Sequence, residues 1–131
     1  MQATVIPTSL RYSKSHEWVQ EEADNIITVG ITQHAQQQLG DIVFVDLPEV
    51  GTEISASEEI AVIESVKTAT DIYSPVSGTI VEINESLQDA PETINQAPFA
   101  EGWLVKIQTT DNASLQALIS AEEYSLHIEE D

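Results

Sequence analysis

The sequence contains no cysteine, a single methionine and only 4 basic residues among 131. Without cysteine there are no disulfide staples, thiol nucleophiles or thiolate metal sites. The shortage of lysine and arginine says more. Against those 4 stand 23 Asp and Glu, a formal charge of −19. Such a surface repels a phosphate backbone and an anionic lipid face, so neither nucleic acid nor a membrane is expected as a partner. A basic protein surface would be drawn in and steered. The acid also has a plainer use, keeping the chain soluble and monomeric. No apolar run reaches the roughly 18 residues of a spanning helix. Met1 to Leu10 has neither the basic start and apolar stretch of a secretory signal nor the arginines of a mitochondrial presequence. That start suits a bacterial cytoplasm; a mitochondrial home requires a presequence already removed.

What is present fits one folded domain over 1–131. Hydrophobic residues make up 41% of the chain, close to the globular norm, and this length buries a core without staples. Strand-like stretches alternate with turn residues. Ile26 to Ile31, Ile42 to Leu47, Glu59 to Val66, Thr79 to Ile83 and Gly102 to Thr109 read as strands. The nearly unbroken apolar run Ile42 to Leu47 predicts a buried strand ended by Pro48. In the next, Ile60, Val62 and Val66 fall on one side and Ala61 and Ile63 on the other. Thr32 to Leu39 predicts a short helix, with Thr32 as cap, Ala35 and Leu39 on one face and Gly40 as stop. Near the end, Leu115, Leu118 and Ile119 lie at helical spacing, and Ser120 with Glu123 fits a capping box opening another helix. The class is mainly β, a barrel or sandwich with short helices at its edges.

Lysine occurs at Lys14, Lys67 and Lys106 only. Lys67 sits in Glu64-Ser65-Val66-Lys67-Thr68-Ala69-Thr70-Asp71, between a buried-looking strand and a second that follows, with Pro75 and Gly78 close behind. A hairpin tip offering one amine to solvent has this composition, and such an amine can accept an acyl group and tether a cofactor. From these residues alone an ordinary exposed lysine remains the commoner reading. His16 and His34 are in separate segments, with no cysteine and no carboxylates at ligand spacing, so no metal site is expected; His16 beside Trp18 reads as structural, and Trp18 and Trp103 as core.

The stretch from Glu64 to Gly78, ESVKTATDIYSPVSG, closely resembles the lipoylation segment of glycine cleavage H proteins. Ser15-His16-Glu17-Trp18-Val19 resembles that family's N-terminal signature, Val29 to Thr32 and Leu39 to Pro48 its central block, and Glu101 to Ile107 with Ser120 to Tyr124 its C-terminal block. The resemblance covers nearly the whole chain, in the family's order and spacing. Phe99-Ala100 departs from it, standing where a Tyr-Gly pair is common, as does the run Gln36-Gln37-Gln38 at positions often charged.

The resemblance implies a lipoyl/biotinyl-type flattened β-barrel, or barrel-sandwich hybrid, with short peripheral and C-terminal helices. It implies a lipoyl group (lipoic acid in amide linkage) on Lys67. The arm would take an aminomethyl group from the glycine-decarboxylating P protein, present it to the folate-dependent T protein and be reoxidised by the L protein. A lipoylating enzyme would be a fourth partner. The chain would be a carrier and not a catalyst, for the cofactor brings the chemistry. By motif alignment, Ser15, Glu17 and Asp71 would form the cleft shielding the loaded arm, and Glu64 would serve recognition by the lipoylating enzyme. The alternative is a lipoyl carrier or relay for 2-oxoacid dehydrogenase complexes. A biotin carrier normally has methionine beside its lysine, whereas Val66 and Thr68 flank this one. No nucleophile–base pair or glycine-rich phosphate loop suggests an enzyme.

Overall fold

The computed structural model describes residues 6–110 and 115–129. In chain order the elements are β1 (Arg11–Tyr12), β2 (Glu17–Glu21), β3 (Ile26–Ile31), α1 (Gln33–Leu39), β4 (Ile42–Asp46), β5 (Glu53–Ile54), β6 (Glu59–Ser65), β7 (Ala69–Tyr73), β8 (Gly78–Ile83), α2 (Ser86–Asp89), α3 (Thr93–Gln96), β9 (Val105–Thr109) and α4 (Ala121–Glu129). The strands form two antiparallel sheets, one of six strands in the order β1-β2-β3-β9-β8-β5 and one of three in the order β4-β6-β7. This is the expected mainly β, lipoyl-type architecture, with the two sheets left as separate ladders rather than closed into one continuous barrel.

The apolar side chains of both sheets meet in one core. Ile27, Val29 and Ile31 of β3 and Ile107 of β9 pack with Val45 of β4, Ile63 of β6 and Ile72 of β7. Each such aliphatic residue removed from water contributes roughly 1.5–3 kcal/mol. A second cluster of Leu10, Tyr12, Trp18, Ala121 and Tyr124 seats α4 on β1 and β2. Tyr12 and Tyr124 stack there with ring centroids 4.8 Å apart, and burial raises the Tyr12 phenol well above the tyrosine range, with Tyr124 adding to it. Trp18 is buried and donates its indole N–H to the carbonyl of Pro98 at 2.9 Å. Its ring lies flat against Gly30, where a Cβ would come within 2.5 Å of it. Trp103, expected in the core, is half-buried at the border of this cluster, with Lys106 Nζ 5.4 Å from its ring centroid.

Local sequence explains several boundaries. Thr32 caps α1, its hydroxyl accepting from the Ala35 amide at 3.2 Å. Ser120 and Glu123 exchange side-chain to backbone bonds at 3.2 Å each, a reciprocal capping box that starts α4.

Other expectations are corrected. The run Ile42 to Leu47 is not a buried strand. β4 is an edge strand with a register shift between Ile42 and Phe44, which leaves Val43 and Phe44 both exposed. In β6 a second shift between Glu59 and Ala61 buries Ile60 and Ala61 together, and Val66 falls beyond the strand. Leu115 and Gln116 are helical, but Ile119 leaves the helical spacing to bridge Tyr12, while residues 111–114 fall outside the described part. The strand expected from Gly102 begins at Val105, because the amides of Gly102 and Trp103 turn back to the carbonyls of Ala97 and Ala100.

Candidate functional site

Lys67 occupies the tip of the β6–β7 hairpin and is exposed. Glu64 pairs with Ala69, the Ser65 amide bonds the Thr68 carbonyl at 2.8 Å, and Val66 and Lys67 form the turn between them. The Ser65 hydroxyl accepts from the amides of both Lys67 and Thr68 at 3.2 Å, tying down the turn that the lysine projects from. Small polar residues at this point therefore do a definite job: they satisfy backbone groups that no strand partner reaches.

The tip is also anchored from behind. The Val66 amide donates to the Asp41 carbonyl at 3.0 Å. The segment holding Asp41 is fixed by Asn95 of α3, whose amide group donates to the Gly40 carbonyl and Gln36 Oε1 and accepts from the Ile42 amide, each at 2.9 Å. Gly40 has φ +81, and a Cβ there would stand 3.3 Å from Lys67 Cε. The bare glycine thus leaves room for the methylene stem of Lys67 to run past.

Ser15, in the turn between β1 and β2, comes together with Glu17, the first residue of β2. His16 takes a left-handed conformation (φ +76), and the Ser13 amide closes the loop on the Glu17 carbonyl at 2.9 Å. The closure brings the hydroxyls of Ser13 and Ser15 onto the same oxygen, Glu17 Oε1, at 2.5 and 2.6 Å. The Glu17 side chain is buried, and burial pushes its carboxyl above the usual carboxylate value. The hydroxyls of Ser13 and Ser15 and a backbone bond from Tyr73 pull it partway back. Ser13 was not foreseen from sequence, because only the closed loop brings its hydroxyl onto Glu17. His16 is held by Tyr124 of α4, with Nδ1 2.7 Å from the phenol oxygen, which also lies 2.7 Å from Thr32 Oγ1. The His16 and His34 rings approach with centroids 4.9 Å apart.

Glu17 forms part of a cleft of about 560 Å³ whose walls include Ser13, Ser15, Tyr73, Ser74 and Pro75, with Leu118 and Ile119 opposite. The cleft lies at the far end of β7 from the Lys67 turn. Ala69, Asp71 and Tyr73 alternate along the outward face of that strand, all exposed, over about 14 Å from first to last. Asp71 thus stands on the path from Lys67 to the cleft and is not part of the cleft wall. Glu64, exposed on β6, sits between Phe44 of β4 and Ala69 of β7. The four residues singled out around Lys67 therefore fall in three places: Ser15 and Glu17 inside the cleft, Asp71 on the approach, and Glu64 beside the tip.

Comparison with known proteins identifies the family. A family model described as Glycine cleavage H-protein matches residues 10–131. The glycine cleavage system H protein of Pseudoalteromonas translucida is 57% identical over 126 residues, covering 96% of this chain and 98% of that protein. The corresponding Escherichia coli O7:K1 protein is 54% identical, with 96% and 98% covered. The crystal structure of a glycine cleavage system H protein from Mycobacterium marinum matches with a TM-score of 0.87 and 41% identity, over 95% of this chain and 99% of that one. The chain belongs to the glycine cleavage H-protein family.

Proposed function

We propose that this chain is the lipoyl carrier of a glycine cleavage system, one carrier domain over 1–131, and that Lys67 holds lipoic acid as an amide. The observation that carries the reading is the hairpin tip, where Lys67 is exposed on a turn braced by Ser65 and Asp41 and its stem passes a glycine that leaves space for it. When bound, the lipoyl group supplies the disulfide chemistry by which an aminomethyl unit is taken up and passed on.

The chain's own residues position and shield. The Lys67 turn holds the arm's root, and the outward face of β7 leads past Asp71 to the cleft. A loaded arm ends in an amine, cationic at neutral pH, and Glu17 offers it a carboxylate held in place by Ser13 and Ser15. Cleft walls of Tyr73, Pro75, Leu118 and Ile119 keep water from that end. Asp71 attracts the amine on its way in, and Glu64 marks the hairpin for the lipoylating enzyme. The chain acts as a cosubstrate and catalyses no step, and its partners are the P, T and L proteins. The bacterial cytoplasm is the proposed compartment, in keeping with bacterial relatives. No described helix is long and apolar enough to cross a membrane.

Intact mass spectrometry of the protein from its native cells, with peptide mapping, tests the proposal. The expected result is a lipoyl mass on Lys67 and on neither Lys14 nor Lys106. A bare Lys67 from cells replete with lipoate overturns it.

A further inference from the structure

An enzyme that acylates this chain meets three lysines and must choose one. Lys106 is half-buried on β9 with its amine over the Trp103 ring. Lys14 and Lys67 are both exposed, so exposure alone does not decide between them. The ground around them differs. Lys14 borders the Glu17 cleft on one side and a groove with Glu123 and His127 on the other, where the exposed large apolar side chains are Tyr73 and Leu126. Lys67 stands beside three: Val66 is 67% exposed, and the register shift in β4 turns out Val43 and Phe44, 55% and 47% exposed.

These positions are neighbours in the sheet. Phe44 is directly opposite Glu64 across the β4–β6 pair, and Val66 is tied to Asp41 at the start of β4. The next row of the same sheet face runs Asp46, Val62, Asp71. The patch is therefore an apolar centre bordered by Asp41, Asp46 and Glu64, all exposed. Of the four basic residues Lys67 alone is on this sheet's hairpin, for Arg11 is on β1, Lys106 on β9 and Lys14 in the β1–β2 turn.

We infer that Val43, Phe44 and Val66 with their acidic border form the docking surface for the enzyme that acylates Lys67. That enzyme meets the patch with an apolar pocket rimmed by Lys and Arg. The inference rests on the carrier reading and extends it from the modified residue to what selects it. An exposed aromatic in an apolar patch supplies affinity, and the acidic rim supplies steering and orientation. Only the acylating enzyme faces this choice, since afterwards the arm itself marks Lys67. In the reaction the acyl carbon of lipoyl-adenylate is joined to Lys67 Nζ, AMP leaves, and the neutral amine loses one proton.

The test is steady-state acylation of the purified, unmodified full chain by a lipoate–protein ligase supplied with lipoate and ATP. Phe44→Ser and Asp46→Lys are compared with Glu53→Lys, the same charge change on the exposed face of β5 in the other sheet. The two patch variants are expected to raise KM for the chain about tenfold, equivalent to about 1.4 kcal/mol, with kcat unchanged and circular dichroism native. Glu53→Lys should stay within about twofold of the parent, as surface changes away from a contact do. Parental KM in both patch variants overturns the inference while leaving the carrier reading intact. An equal rise in Glu53→Lys with parental KM in Phe44→Ser also overturns it, since net charge alone would then explain the Asp46→Lys effect. A parent chain that accepts nothing on Lys67 overturns the carrier reading, and this inference with it.

Discussion

Burial and charge are set against each other at Glu17. Burial raises its carboxyl from the ordinary value of 4.5, with Ser13, Ser15 and the Tyr73 backbone opposing. A raised folded pKa means that the folded chain holds the proton more tightly than the unfolded chain. The contribution of Glu17 to stability is therefore full below about 4.5 and is lost as pH rises through the raised value. Glutamine keeps an oxygen for the two serine hydroxyls and has no charge to bury. Glu17→Gln is expected to melt higher than the parent at neutral pH and equally near pH 4, measured by calorimetry across that range; parallel curves would contradict it. The same variant, loaded with the aminomethyl group, should lose it several-fold faster, because the amine no longer meets a carboxylate. Lys67, Ser15 and Glu17 were legible through the resemblance of their segments to the family's motifs. Ser13 was not, because its role depends on a loop closed by a left-handed His16, a conformation that a histidine codon does not announce.

Among the elements, Asn95 has the longest reach. From a helix of four residues it makes three hydrogen bonds that lock α1 to β4, and β4 in turn holds the Lys67 turn. Asn95→Ala strips all three and leaves the Ile42 amide and Gly40 carbonyl to find other partners. The expected cost is about 1–3 kcal/mol in urea denaturation, with faster amide exchange at Val66 than in the parent. Unchanged exchange there would show that the Lys67 turn does not depend on α3. Elements with their own signals were legible: the Thr32 cap and the Ser120–Glu123 box each worked as local chemistry predicts. α2 and α3 carried no such signal, having glutamates without a side-chain cap bond at their N-caps. The apolar run in β4 misled because one register shift, invisible in composition, turns two large side chains outward. Leu115 to Ile119 misled because Ile119 answers to Tyr12, 107 positions earlier in the chain, rather than to its neighbours.

Taken as a whole, the molecule carries a charge of −19 with few counterparts to offset it. Arg11 pairs with Glu21 at 3.3 Å, on two partly exposed side chains, and such pairs contribute under about 1 kcal/mol. Like-charge repulsion thus acts against the compact state. Raising ionic strength from about 0.01 M to about 0.15 M shortens the screening length from about 30 Å to about 8 Å. The melting temperature is expected to climb over that range in sodium chloride; a flat or falling curve would mean that the acids are spread widely enough not to matter. Mainly β character, as a barrel or a sandwich, could be read from short strand-like runs between turn residues, whereas the division into two sheets and the strand order could not. The six-stranded sheet places β9 between β3 and β8, so its central ladder joins Ile26 to Gln108. During synthesis the strands on either side of β9 leave the ribosome first and must wait for it as unpaired edges. The small sheet that presents Lys67 has no such delay in its ladders: β4, β6 and β7 all lie within residues 42–73, with only β5 between them, and their pairing with one another uses no later strand. The attachment hairpin can therefore be made before the body that shelters its cargo is complete.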